Sequence, residues 1–178
     1  ENGRYLLFNS KEPRENNHSI YFCELKNGSW SKPEYFTILN SQYDDESPYV
    51  SHDGKVILFS SNRENGIYNI YISEKLDGKW TTPIKIPGDV NTTANERTPS
   101  LSKDKKTLYY SRWPSTDMSL AKVMSATLEN GQFTKSNRLP YPVNSGNYEI
   151  GMVPSRNYSG FYLLLVGQKD MEDGISIL

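Results

Sequence analysis

Apolar and polar side chains alternate with a period of two along much of the chain. Tyr68, Ile70 and Ile72 alternate with Asn69, Tyr71 and Ser73, which predicts a strand over 68–73. Val56 to Ser60 is a short apolar, β-branched run and reads as a second strand. Tyr49 to Ser51 precedes it, across an Asp53-Gly54 turn. Trp80 to Ile86 follows the hairpin signal Asp77-Gly78. Pro83 within that last run is compatible with an outer strand, whose free edge needs no donor. No stretch combines a 3.6-residue apolar period with helix caps.

This four-strand pattern recurs. Ser47-Pro48-Tyr49-Val50-Ser51-His52-Asp53-Gly54 returns 51 residues later as Thr98-Pro99-Ser100-Leu101-Ser102-Lys103-Asp104-Lys105. The strand-end aromatics Phe8, Phe59 and Tyr110 keep the same spacing, and Gly3 stands 51 residues before Gly54. A second marker, Asn27-Gly28-Ser29-Trp30 with Pro33, matches Asp77-Gly78-Lys79-Trp80 with Pro83, and weakly Asn130-Gly131-Gln132-Phe133. A degenerate fourth copy opens at Gly151-Met152-Val153 and runs through Phe161 to Val166. Four short strands about every 50 residues is the β-propeller pattern, one sheet per blade. The fold class expected is therefore all-β, with blades of four antiparallel strands and about 3.5 repeats of about 51 residues. The repeats are roughly 1–46, 47–97, 98–150 and 151–178. The terminal units read as partial blades, so further blades or partner chains are expected at both ends, in a six- to eight-bladed ring.

Composition narrows the function classes. A net charge of −1 offers no basic field for nucleic acid. Aromatic residues make up 12% of the chain, which excludes a disordered tail. The apolar run Phe161 to Val166 is far short of the roughly 20 residues a membrane-spanning helix needs. Cys23 is the only cysteine, so no internal disulfide or multi-cysteine zinc site forms. With only His18 and His52, both in predicted turns, a histidine-based metal site is not expected.

The repeats resemble the WD40-like repeats of TolB-type β-propellers of the bacterial cell envelope. The resemblance rests on Ser47-Pro48, Ser51-His52-Asp53-Gly54-Lys55, Leu58-Phe59-Ser60-Ser61-Asn62-Arg63, Asn69-Ile70-Tyr71-Ile72-Ser73, Gly78-Lys79-Trp80 with Pro83, and the Asn-rich link Asn91 to Glu96. It covers nearly the whole chain and is strongest over 44–111. His52 stands where such repeats have Pro, and Lys105 where they have Gly, so the third turn is expected to differ in type. The resemblance implies an exported protein, periplasmic or associated with the outer membrane. It implies a propeller fold and leaves function open, because propellers host many activities.

Catalytic signatures do not assemble. There is no Gly-x-Ser-x-Gly elbow and no phosphate-cradling loop. Cys23 lies in an apolar strand and reads as core. Ser51-His52-Asp53-Gly54 lacks the aromatic that a sialidase aspartate box needs. Asp45, Glu96 and Glu149 fall at equivalent places before each new blade, with Asp44 and Glu46 beside the first. They are expected to meet backbone amides or an arginine such as Arg63 of a neighbouring blade. Ca²⁺ ligation is the alternative, but no Asp-x-Asp-x-Asp-Gly loop supports it, so no metal or cofactor is expected. The reading is a non-enzymatic binding or scaffold module. Its loops would face a protein partner or an envelope polymer, with Tyr43, Arg63, Arg97, Arg112, Trp113 and Tyr148 as candidate exposed anchors. A propeller-type glycan hydrolase or lyase, or an accessory propeller of a larger envelope protein, is the alternative.

Overall fold

A computed structural model describes residues 4–11, 16–146, 148–155, 161–165 and 176–177. The repeat marker Gly3, part of the 11–18 loop, Val166 and the chain's last residue fall outside the described residues. Four antiparallel sheets follow one another along the chain. The first holds β1 (Tyr5–Ser10), β2 (Ser19–Lys26), β3 (Ser29–Trp30) and β4 (Glu34–Tyr35). The second holds β5 (Asp45–Val50), β6 (Val56–Ser61), β7 (Asn69–Leu76), β8 (Lys79–Trp80) and β9 (Ile84–Lys85). The third is β10 (Asn95–Leu101), β11 (Thr107–Trp113), β12 (Lys122–Glu129) and β13 (Gln132–Arg138). The fourth is β14 (Glu149–Pro154), β15 (Phe161–Leu165) and β16 (Ser176–Ile177). The only helical turn among the described residues is 3-10, Met118–Leu120. The molecule is all-β and its sheets are propeller blades. The inner strands β5, β10 and β14 lie side by side, with β10 in the middle, and β5 also contacts β1, which is the counterpart of the second strand β6.

The 51-residue repeat becomes a repeated core. Every residue of β6 is buried, because a neighbouring blade covers each face. Phe59 packs with Ile20, Leu39, Ile57 and Tyr71. One blade on, Tyr110 packs with Ile70, Val90 and Leu108, which stand at the equivalent positions. Hairpins join the third and fourth strands at Asn27-Gly28, Asp77-Gly78 and Asn130-Gly131. Both central residues have positive φ each time, 47° to 50° and then 78° to 79°, as a type I′ turn demands. Gly88 is needed for another reason: a Cβ there would run into the Phe133 carbonyl, where the second and third sheets touch.

Three details depart from expectation, and a fourth separates two residues that the repeat pairs. The inner strand of the second blade begins at Asp45, four residues before Tyr49, and bends where its register shifts between Glu46 and Tyr49. The run Trp80 to Ile86 is broken in two, β8 and β9, each pairing with β7. Pro83 lies in the break, Pro33 lies in the matching break of the first blade, and β13, which contains no proline, stays whole. The turn at Lys105 is of the same kind as that at Gly54, with φ of 59° against 68°. Ser102 and Asp104 repeat the hydroxyl–carboxylate bond of Ser51 and Asp53, both at 2.6 Å. Finally, Trp30 and Trp80 are not equally covered. Trp80 packs edge-on against Phe36 of the preceding blade, at 6.4 Å between centroids, whereas Trp30 is 48% exposed.

Candidate functional site

Strand direction puts the links between blades and the loops after each second strand at one end of the sheets, because Asp45, Ser61 and Asn69 sit opposite one another in the ladder. At this end a set of polar residues repeats. Asn40 accepts from the Ile20 amide at 2.7 Å and donates to the Ile20 carbonyl at 2.8 Å. Asn91 does the same to Ile70 at 2.7 and 3.0 Å, and Asn144 to Val123 at 2.9 Å for both bonds. Five residues after each comes a buried carboxylate. Asp45 accepts from the Ser41 amide and hydroxyl at 2.5 and 2.9 Å. Glu96 accepts from Thr92, and Glu149 from Ser145, in the same way.

A cation closes each carboxylate, from a different position each time. Arg63 reaches Asp45 at 2.5 Å, Arg112 reaches Glu96 at 2.9 Å and Lys122 reaches Glu149 at 2.6 Å. The carboxylates thus meet amides and cations, as expected. Arg63, however, comes from the same sheet as Asp45 and not from a neighbouring blade. Burial raises the Glu96 pKa above the ordinary value despite Thr92 and Arg112. Burial also pushes Glu149 up, but Lys122 and Ser145 outweigh it and the net shift is downward. The sequence signal is Asn-Ser/Thr-x-x-x-Asp/Glu at 40–45, 91–96 and 144–149. Sequence reasoning singles out its carboxylates and misses its asparagines.

The residues flanking this frame do not repeat. Position 44, 95 and 148 is Asp, Asn and Tyr; position 46, 97 and 150 is Glu, Arg and Ile. Three of them, Asp44, Glu46 and Arg97, build a polar cluster with His18 and Tyr68 where the first and second sheets meet. The His18 Nδ1 lies 3.1 Å from Asp44 Oδ1 and 3.3 Å from Glu46 Oε1. Asp44 also accepts from the His18 amide at 2.8 Å and from Asn62 Nδ2 at 3.2 Å. Glu46 accepts from the Tyr68 hydroxyl at 2.8 Å and pairs with Arg97 through Oε2. The Arg97 guanidinium lies 4.4 Å from the centre of the Tyr68 ring, a cation–π contact. Burial raises the Asp44 pKa, but bonds from His18 and Asn62 win and hold it below the ordinary carboxylate value. Burial also lowers the Arg97 pKa, with Tyr148 and Asp44 opposing. Among the described residues, His18, Asp44 and Glu46 are the one group of three with metal-ligating atoms close together, all within 4.8 Å. Sequence reasoning places His18 in a solvated turn and misses this group.

The six candidate anchors part ways. Tyr43 is exposed, at 43%. Arg97 belongs to the cluster just described. Tyr148 is half-buried against Trp113, Ala121 and Ile150. Arg63 and Arg112 are occupied as struts: Arg63 also donates to the Leu39 carbonyl at 2.7 Å and lies over Tyr71 at 4.7 Å. Arg112 donates to the Val90 carbonyl at 2.8 Å. Trp113 is not exposed; only 5% of it reaches solvent. The reason is that β11 runs on to include it, where β6 stops at Ser61. His52 is exposed in its turn at the opposite end of the blades, and Cys23 is buried in β2. That opposite end also carries a crevice of about 820 Å³ along β1, bordered by Leu6, Val50, Leu101 and Val153. It contains none of the cluster residues.

No protein-family model matches the chain, and no curated protein does. Solved structures do. The chain is similar to TolB from Acinetobacter baumannii, with a TM-score of 0.58 at 19% identity, over 98% of this chain and 40% of that one. It is similar to a puromycin-hydrolyzing peptidase from Mycobacterium tuberculosis, with a TM-score of 0.53 at 14% identity, over 90% of this chain and 25% of that one. It is similar to oligogalacturonate lyase from Vibrio parahaemolyticus, with a TM-score of 0.51 at 12% identity, over 96% of this chain and 45% of that one. The likeness is one of fold: the chain is built of TolB-like β-propeller blades and spans less than half of each of these proteins. No helix among the described residues is long and apolar enough to cross a membrane.

Proposed function

We propose that the chain is a non-enzymatic binding module, part of a six- to eight-bladed propeller in an exported protein of the bacterial envelope. Its link-and-loop end receives a protein partner. The observation that carries this reading is the contrast at that end. The repeated polar residues are turned inward and satisfied, while the positions beside them vary from blade to blade and include Tyr43, Arg97 and Tyr148. A rigid frame with variable loop residues is how β scaffolds present binding surfaces. Tyrosine and arginine are the side chains that most often anchor such contacts. The TolB likeness supports export and partner binding by analogy of fold.

The test begins with cross-linking the protein in an envelope fraction, followed by titration of the purified partner so identified. Tyr43→Ala is expected to weaken that complex about tenfold, equivalent to about 1.4 kcal/mol. His52→Ala, at the other end, is expected to leave it unchanged. Equal losses from both ends, recovery of a glycan polymer in place of a protein, or turnover of a glycan or peptide by the purified protein would each refute the reading.

A further inference from the structure

The repeated frame provides an internal control for the residues beside it. Asp44 accepts the backbone amide of His18 at 2.8 Å, and one blade later Asn95 accepts the backbone amide of Tyr68 at 3.0 Å. A neutral amide side chain therefore does the structural work at this position, and the charge of Asp44 is not needed for it. The imidazole of His18 is likewise replaced by the phenol of Tyr68 and the methyl of Ala121 at the equivalent positions. What sets the first junction apart is that one nitrogen and two carboxylates converge there.

We propose that His18 Nδ1, Asp44 Oδ1 and Glu46 Oε1 form a three-ligand site for a borderline divalent cation of the Zn²⁺ type. The imidazole–carboxylate spacings match the ion, and all three ligand atoms lie within 4.8 Å of one another. Tetrahedral bonds of about 2.0–2.1 Å put neighbouring ligand atoms about 3.3 Å apart, and the two nitrogen–oxygen distances are 3.1 and 3.3 Å. The mixed imidazole–carboxylate set suits Zn²⁺ better than Mg²⁺ or Ca²⁺, which require more oxygens. An outer layer holds the ligands in place. Asn62 fixes the second oxygen of Asp44, and Arg97 fixes the second oxygen of Glu46, away from the imidazole. The Tyr68 hydroxyl steadies Glu46 Oε1. The His18 side chain is 39% exposed, so water has access to a fourth position and the site is open. The inference is independent of the partner proposed above, since an ion can bind whether or not any macromolecule does.

The decisive measurement uses the purified wild-type protein, whose two histidines give two sets of imidazole signals in a proton NMR spectrum. Titration with Zn²⁺ at neutral pH is expected to shift the His18 signals at one equivalent and leave those of His52 in place. Calorimetry is expected to show one Zn²⁺ per chain. Asp44→Asn copies the residue found at the Asn95 junction and is therefore expected to fold; it should weaken Zn²⁺ binding at least tenfold. His18→Gln should do the same, and His52→Gln should not. Absence of saturable uptake by the wild type, equal perturbation of both histidines, or uptake indifferent to Asp44→Asn would overturn the assignment.

Discussion

Two sets of polar residues lie side by side at the same end of the blades, and they obey opposite rules. Asn40, Asn91 and Asn144 stand five residues before Asp45, Glu96 and Glu149, and asparagine and carboxylate recur together at all three junctions among the described residues with the same hydrogen bonds. One residue to either side, identity changes at each junction, from Asp44 and Glu46 to Asn95 and Arg97 to Tyr148 and Ile150. The first set ties each link to the preceding blade, a task identical at every junction. The second set has no task common to all three junctions beyond the amide that Asp44 and Asn95 each accept, which leaves its charges free for chemistry that only one junction performs. If that division is right, damage to the frame should cost stability wherever it is made, and damage beside it should cost little stability.

The largest effect is expected from Glu96→Ala. The carboxylate is fully buried, and its removal leaves the Arg112 Nε and the Thr92 hydroxyl without their acceptor. Removing one partner of a buried pair costs about 3–5 kcal/mol. Urea denaturation should show a midpoint shift of that size with an unchanged slope. A loss under about 1 kcal/mol, the size of an ordinary surface contact, would place Glu96 outside the frame.

Asn91→Ala is expected to cost somewhat less, about 1–3 kcal/mol, because it strands the Ile70 amide in a part-buried setting and takes one of two donors from the Ile70 carbonyl, which the Ile86 amide still serves at 3.0 Å. Asn91→Asp keeps the acceptor but loses the donor, and should fall between the wild type and Asn91→Ala. If the three variants cannot be ranked this way by denaturant midpoints, the asparagine is not bracing the link through its two-sided contact.

A pH series sharpens the comparison within the frame itself. Glu149 has its folded pKa pulled below the ordinary 4.5, net of burial, by Lys122 and Ser145. Its contribution is therefore complete above the unfolded value and is lost as pH falls through the folded one. Glu96 has its folded pKa raised by burial. Its contribution is fullest below the unfolded value and declines as pH rises through the folded one. The stability gap between the wild type and Glu149→Gln should therefore shrink as the solution is acidified from about pH 7 toward about pH 3. The gap for Glu96→Gln should widen over the same range. Parallel curves would mean that the two carboxylates sit in like environments.

How much of this is legible in the sequence follows from what repeats. The Ser-x-Asp turns, the aromatics Phe59 and Tyr110 and the carboxylates Asp45 and Glu96 are visible because self-comparison at 51 residues superposes them, and Glu149 falls two residues beyond that register. Pro83 reads as tolerable in an outer strand, yet a ring in place of an amide donor is enough to split that strand into β8 and β9. Trp113 reads as a loop residue because its counterpart lies beyond the end of β6; the longer pairing of β11 carries the strand through Trp113 and buries it. The His18 cluster is not legible at all. Its members are 26 and 28 residues apart, come from a loop and an inner strand of different blades, and occur once. A search for recurrence sees the frame and passes over what the frame holds.

The smallest effect expected is at the opposite end of the blades, where Lys105 is a singular residue on a repeated turn. Its φ of 59° is the left-handed conformation that Gly54 adopts in the preceding blade, and a side chain there costs about 1 kcal/mol. Against this, its ammonium meets Asp53 of the second blade at 2.6 Å and holds that carboxyl below its ordinary pKa. Both side chains are 38% exposed, so solvent screening leaves the pair worth only about 0.2–1 kcal/mol. Lys105→Gly relieves the backbone, gives up the pair, and also loosens the unfolded chain, an entropy cost of about 0.5–1 kcal/mol. The three terms nearly cancel, and the net change should lie within about 1 kcal/mol of zero. Salt separates them. The pair weakens as ionic strength rises and the backbone term does not, so Lys105→Gly should gain on the wild type between low salt and about 1 M NaCl. A difference that stays constant with salt would show that Lys105 contributes nothing across the blade junction beyond its place in the turn.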